Sequence, residues 1–261
     1  MASDLFSVKD QIVVVSGASR GIGRAIAQAF IDAGATVVIT GRVAETVTKA
    51  AEEITRGEGR AVGKVCDVAD HKAIGPFVDE VIAEYGRIDT LVNCAGVNKR
   101  KKIEDYSEDE YDFITNINIK GAFIMSQAVG RHMIAAGSGS IINIDSINSH
   151  TPLKRVGPYA MSKAAMSQMT KVMAMEWGPH GVRVNGIGPG FTRTELASTL
   201  WEDAKMRQWR DDNIPMGRVA EPEDMAGTCI YLASKAAAYV TGQVIYIDGG
   251  TVSGLFWPIP D

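Results

Sequence analysis

Cysteine is scarce in this chain of 261 residues: there are three, Cys66, Cys94 and Cys229. They are odd in number and lack metal-ligand spacing, so neither a disulfide framework nor a cysteine metal site is expected. They read as buried small hydrophobes in a reducing compartment. Positive charge is not in excess either, and a formal charge of -4 gives nucleic-acid binding no support. No apolar run reaches the roughly 18 residues a membrane span needs. The opening MASDLFSVKD carries acids where the basic segment of a secretory signal would lie. A soluble, cytoplasmic protein without metal is the expectation.

What is present is a large apolar fraction, 46% of the chain, and 27 glycines. Apolar runs read as strands at 11–16, 36–40, 61–68, 88–96, 140–146, 182–190 and 243–250. Between them, helical patterns cover 22–32, 43–56, 71–85, 108–134, 156–177, 195–211 and 222–234. Several of the strands lack polar alternation, as strands buried on both faces do. The expected fold class is α/β: one domain over 1–261, a doubly wound parallel seven-stranded sheet with helices on both faces. Ligands of such sheets sit beyond the carboxyl ends of the strands.

Gly17, Gly21 and Gly23 lie in SGASRGIG, between the first strand and the first helix. Glycines there permit a tight turn and close approach of a diphosphate to a helix amino end. Ser19, Arg20 and Ile22 belong to the same turn. An acid that would hold an adenosine ribose is missing after the second strand, where Thr40, Gly41 and Arg42 stand instead. Arg42, with Arg20, suits a ribose 2′-phosphate, which places NADP ahead of NAD. A solvated arginine near a helix start is the plainer alternative. Asp67 and Val68 follow the third strand, where Asp67 can meet an adenine amine or cap the next helix. Asn93, Ala95 and Gly96 end the fourth strand, and small residues there leave room for the second ribose.

Tyr159 and Lys163 are four residues apart in GPYAMSKAAMSQ and share a helix face. An ammonium beside a phenol favours phenolate and brings its proton exchange, ordinarily near about pH 10, toward neutrality. By itself the pair would equally fit an amphipathic helix with a surface lysine. Ser146 ends the fifth strand, thirteen residues before Tyr159, and Asn118 lies inside the helix after the fourth strand.

This combination resembles the classical short-chain dehydrogenase/reductase family. The resemblance runs from the glycine turn through NCAG at 93–96, Asn118, Ser146, Tyr159, Lys163 and Pro189-Gly190 to the closing YVTGQVIYIDGG. It implies a Rossmann fold, a nicotinamide cofactor and a homotetramer built through the long helices and the last strand. It further implies that Tyr159 exchanges a proton with the substrate oxygen while Ser146 polarises that oxygen. Lys163 would hold the nicotinamide ribose, and Asn118 a water continuing the proton relay. Pro189, Gly190, Thr192 and Thr194 match the segment that meets the nicotinamide amide, and the stretch about 191–214 matches a substrate lid. Asp145 departs from the serine usual there, and Gly186 and Gly188 replace bulkier residues, which would loosen that segment.

Lys99, Arg100, Lys101 and Lys102 form a basic run after the fourth strand. The run resembles the loop of sugar-acid dehydrogenases of the gluconate 5-dehydrogenase group, with Arg100 in the matching place; a solvated loop balanced by the acids downstream is the plainer alternative. Asn148, His150, Lys154 and Arg155 add a polar, basic wall before Tyr159. Arg100, Asn148, His150 and Arg155 are therefore the candidate substrate residues, for a sugar acid or polyol. Two readings compete: a reductase of neutral or cyclic ketones or of 3-oxoacyl thioesters, and a non-catalytic nucleotide-binding protein. Phe256 and Trp257 would cover an interface, shape a pocket or simply pack in the core.

Overall fold

The computed structural model describes residues 2–55, 59–194 and 201–254. Seven parallel strands form one sheet in the order β3-β2-β1-β4-β5-β6-β7. They are β1 (Ile12–Ser16), β2 (Thr36–Gly41), β3 (Arg60–Val65), β4 (Thr90–Asn93), β5 (Gly139–Ile144), β6 (Val182–Pro189) and β7 (Val244–Ile247). The helices are α1 (Ala2–Leu5), α2 (Gly21–Asp32), α3 (Ala44–Ile54), α4 (His71–Tyr85), α5 (Glu108–Thr115), α6 (Ala122–Ala136), α7 (Gly157–Trp177), α8 (Ala204–Asn213) and α9 (Ala226–Ala233). The order reverses between β1 and β4, which lie side by side. Their following chains diverge there and leave a crevice.

Alternation along the strands splits the core in two. Val13 and Val15 of β1 pack with Ile26 and Phe30 of α2 and Leu232 of α9 on one face. Val14 points to the other face, among Phe77 and Val81 of α4, Met125 and Val129 of α6 and Met173 of α7. Every residue of β1 and of β4 is buried, as expected for strands covered on both sides.

The expected helix over 108–134 is present as one helical stretch, Glu108 to Ala136, but its α pattern is interrupted. A π-helical turn, Asn116–Gly121, separates α5 from α6. The turn presses on the loop after β3, where a side chain at Gly121 would come within 2.6 Å of the Val68 carbonyl oxygen. Local pattern could not show this close approach, which is to a loop distant in the chain. Gly186 and Gly188 do not loosen β6. Both are paired in the sheet, and a Cβ at Gly188 would lie 2.4 Å from the Tyr246 ring that occupies its space. Among the described residues no helix is long and apolar enough to cross a membrane, and no cluster suits a metal ion. Part of the expected lid, 195–200, and the aromatic pair Phe256 and Trp257 lie outside the described residues.

Candidate active site

A cleft of about 1020 Å³ opens at the carboxyl ends of the strands, over the β1–β4 crevice. At one end lies the glycine turn. Gly17 takes a left-handed conformation, φ +67°, and an added Cβ would fall 2.7 Å from the Ala95 Cα. Gly23 is equally closed, with its would-be Cβ 2.6 Å from the Gly17 carbonyl oxygen. The Ser16 hydroxyl accepts from the N–H groups of Cys94 and Ala95, at 3.1 and 3.2 Å, and ties this turn to the end of β4.

Helix α2 then starts without a side-chain cap: Arg20 occupies the cap position and makes no capping bond. First-turn N–H groups with no cap, under glycines that expose backbone, fit an anion. Gly21, Ser19 and Ile22 line the same end, as do Gly41 and the exposed Arg42. Asp67 and Val68 form the wall after β3. The Asp67 carboxylate accepts from the Ala69 N–H at 2.9 Å, and α4 is capped instead by Asp70. The residues present thus suit a dinucleotide with an added phosphate near Arg42.

At the other end stand Ser146, Tyr159 and Lys163, with Pro189, Gly190, Thr192 and Thr194 from the β6 end. Ser146 accepts two hydrogen bonds from Asn148, from its backbone N–H at 3.1 Å and its side-chain amide at 3.2 Å. A hydroxyl has two acceptor sites and one proton, so the proton remains to be donated into the cleft. Lys163 is only 4% exposed. Its Nζ donates to the Ile144 carbonyl at 2.6 Å and lies 5.7 Å from the centre of the Tyr159 ring. A buried ammonium needs such partners, and three donors leave it capacity for a ligand hydroxyl. The cleft beside it is open: a side chain at Gly96 would fill space 3.9 Å from Nζ.

Asp145 also reaches this end and is 2% exposed. Its oxygens accept from the Ser146 N–H at 2.8 Å and from the Ser167 hydroxyl at 2.5 Å. Burial pushes the Asp145 carboxyl above the ordinary range, and the Ser167 hydroxyl and the Lys163 charge pull it partway back. The three cysteines are inert by the same physics. Burial raises each thiol, Cys66 to about 12 and Cys94 to about 11.

Four of the residues singled out in the sequence do not line the cleft. Asn93 lies buried beneath it, donating to Ser126 at 2.8 Å and to Asn143 at 2.9 Å. Asn118 sits in the π-helical turn. Its side chain bonds both backbone groups of Val97, at 2.8 and 2.9 Å, and the Ser162 hydroxyl at 3.1 Å. Both amide protons are therefore committed, leaving only one oxygen lone pair for a water. His150 is exposed, bonded to Thr151 at 2.9 Å and set edge-on against Tyr246. Arg155 is exposed too, and its carbonyl rather than its side chain is engaged.

Asn148 does line the cleft; its amide gives one proton to Ser146 and accepts from the Leu153 N–H at 3.0 Å, which leaves one proton and one oxygen lone pair for a ligand. Arg100 lines it as well. Sequence reasoning did not single out Phe191, Met206 and Trp209, which form an apolar wall opposite. Phe191 stacks edge-on with Trp201 and Trp209, at 5.6 and 5.0 Å between centres. The available signal was two tryptophans in the short stretch after Pro189.

Comparison with known proteins agrees with this geometry. A family model described as enoyl-(acyl carrier protein) reductase matches residues 17–252. The gluconate 5-dehydrogenase of Gluconobacter oxydans is 38% identical over 96% of this chain and 98% of its own. The NAD-dependent glycerol dehydrogenase of Listeria innocua is 39% identical over 94% of this chain and 95% of its own. Among solved structures, a gluconate 5-dehydrogenase from Burkholderia cenocepacia, in complex with NADP and tartrate, superposes with a TM-score of 0.94. It is 36% identical, and the match covers 98% of this chain and 100% of that one. With the sheet order, the glycine turn and the serine, tyrosine and lysine gathered in one cleft, these matches show that the chain belongs to the short-chain dehydrogenase/reductase family.

Proposed function

We propose that the protein is an oxidoreductase interconverting a secondary alcohol and a ketone with NADP, or less favourably NAD, and that its substrate is a sugar acid or polyol. One observation carries this reading: Ser146, Tyr159 and Lys163 share one end of a cleft whose other end is an uncapped, glycine-lined helix start. The relatives named for gluconate and glycerol support the substrate class.

A bound nicotinamide supplies or accepts the hydride. Negative charge develops on a carbonyl oxygen as it is reduced, and donors aimed at that oxygen favour the transition state. Ser146 donates its remaining proton to the oxygen, and Tyr159 transfers a proton to it. In the oxidative direction Tyr159 takes the proton back. Lys163 anchors the nicotinamide-side ribose and stabilises the phenolate that forms. Gly17, Gly21 and Gly23 admit the diphosphate, and Arg42 pairs with a 2′-phosphate. Asn118 contributes by holding Val97 and Ser162 in place.

The chain acts as one domain, with the stretch about 191–214 as its lid, since Phe191, Met206 and Trp209 already wall the cleft. It works in the cytoplasm as a homotetramer. Exposed apolar side chains on α6 and α7 support that assembly: Phe123, Met161, Val172 and Met175.

The test is turnover by nicotinamide absorbance, with NADP and NAD, on gluconate, glycerol and a neutral cyclic ketone. Tyr159→Phe is expected to lower kcat by about 10²- to 10⁴-fold while NADP still binds. Unchanged turnover in that variant would overturn the mechanism, and turnover confined to the cyclic ketone would overturn the substrate class.

A further inference from the structure

The loop after β4 and the loop before α7 meet at the substrate end of the cleft, and they are stitched together. The Lys101 N–H donates to the Arg155 carbonyl at 3.0 Å. The Tyr106 hydroxyl reaches both loops, 2.5 Å from the Lys99 carbonyl oxygen and 3.2 Å from that of Arg155. One hydroxyl proton serves two acceptors here, as in a three-centre bond. Arg155 itself holds a left-handed backbone, φ +67°. Residues with a Cβ seldom adopt it without support from their surroundings. The carbonyl that Tyr106 catches belongs to this strained residue. Ile103 closes the seam: a Cβ at Gly157 would lie 3.1 Å from its terminal carbon.

The stitching bears on which cations face the cleft. Lys99 and Lys101 both pair with Glu110, at 3.2 and 2.7 Å, and Lys102 is 3.8 Å from Glu104. The Lys101 hydrogen bond, with the Ser107 N–H and Lys99, holds the Glu110 carboxyl down at about 2. Arg100 stands between these paired lysines. It lines the cleft and makes no hydrogen bond or ion pair among the described residues. The same is true of Lys154 on the other loop. Arg100 immediately precedes Lys101, and Lys154 immediately precedes Arg155. The Lys101–Arg155 hydrogen bond therefore sets the two uncommitted cations on either side of one seam. A carboxylate is the natural partner for such a pair.

We infer that Tyr106 is a positioning residue for substrate selection: by tying the Lys99 and Arg155 carbonyls it holds Arg100 and Lys154 as a two-cation clamp for a carboxylate. This rests on the dehydrogenase reading of the site. Tyr106 touches neither substrate nor cofactor and acts through the loops it joins.

The experiment compares gluconate with glycerol, using enzyme saturated with NADP. Tyr106→Phe removes only the hydroxyl. The expected result is a drop of about tenfold in the ratio of kcat/KM for gluconate to that for glycerol, carried by KM for gluconate. Arg100→Ala with Lys154→Ala should lower the ratio at least as far, and Tyr106→Phe should then add nothing. A merely structural role would lower Tm and both specificity constants together, leaving the ratio unmoved. That result overturns the inference. So does a further drop from Tyr106→Phe once both cations are gone. An enzyme that oxidises glycerol but neither binds nor oxidises gluconate also overturns it, while the dehydrogenase reading stands. If neither substrate turns over, that reading fails on its own. Gluconate binding to the NADP complex, followed by tryptophan fluorescence, then decides the inference: weaker binding by Tyr106→Phe sustains it, and equal binding ends it.

Discussion

Asn148 occupies both acceptor sites of the Ser146 hydroxyl, one with its backbone N–H at 3.1 Å and one with its side-chain amide at 3.2 Å. The serine proton is thereby left pointing away from its own loop. Asn148→Ala should free the hydroxyl to turn and lower kcat about tenfold. Ser146→Ala should cost about 10²- to 10³-fold, as loss of an oxyanion donor does. In the Ser146→Ala background, Asn148→Ala should add little, because the two act as a unit. Steady-state kinetics on the four proteins checks this. Additive losses would mean that Asn148 meets the substrate directly.

Asn118 and Val97 form a second clasp, with both ends of one amide bonded to both backbone groups of one residue. Asn118→Ala leaves a donor and an acceptor short of partners at a half-buried position. The expected loss is about 1–3 kcal/mol of stability, read by thermal or urea unfolding. Asn118→Asp should be no better, since a carboxylate oxygen would face the Val97 carbonyl where the amide now donates. If either variant unfolds like the parent yet loses turnover, the side chain serves the reaction and not the clasp.

Arg42 is the residue on which cofactor choice should turn. Charge-assisted bonds are worth about 1.5–3 kcal/mol, so Arg42→Ala should weaken NADP binding by roughly 10- to 100-fold. NAD, without the 2′-phosphate, should bind within about twofold of the parent. Titration of each cofactor followed by tryptophan fluorescence tests it. Equal weakening of both would place Arg42 on the adenine or the fold, and not on the phosphate.

The sheet was legible in the sequence because buried parallel strands carry unbroken apolar runs, and VVV of β1 and TLVN of β4 can be little else. The cofactor end was legible for a similar reason: Gly17 and Gly23 are demanded by close backbone contacts that no other residue allows. The need for Gly121 was not, because the Val68 carbonyl that requires it is far away in the chain. Nor was the fate of the basic run. Four consecutive cations look alike in sequence, and only the fold shows that Glu110 takes Lys99 and Lys101 while Arg100 is left to the cleft. His150 and Arg155 were expected in the pocket by proximity to Tyr159. The short helical turn Ile147–Ser149 and the left-handed Arg155 carry them outward instead.

Asp145 offers a prediction whose sign follows from its burial. Its carboxyl is raised above the ordinary aspartate value, chiefly by burial. The groups that oppose this are the Ser167 and Ser149 hydroxyls, the Ser146 N–H and the Lys163 ammonium. A raised value in the folded state means that the neutral form is favoured there. Its contribution to stability is complete below the unfolded value, about 4, and is lost as pH rises through the folded one. Ionising this carboxyl in the folded protein therefore costs stability. Asp145→Asn keeps the shape, can still accept from the Ser146 N–H, and can donate to Ser167 in place of accepting. Its Tm should exceed the parent's near neutral pH, and the gap should narrow as pH falls toward the unfolded value, about 4. Thermal unfolding across that range decides the matter. A variant less stable than the parent at neutral pH would mean that attraction to Lys163 outweighs burial, and that Asp145 stays charged as the counter-ion of the buried lysine.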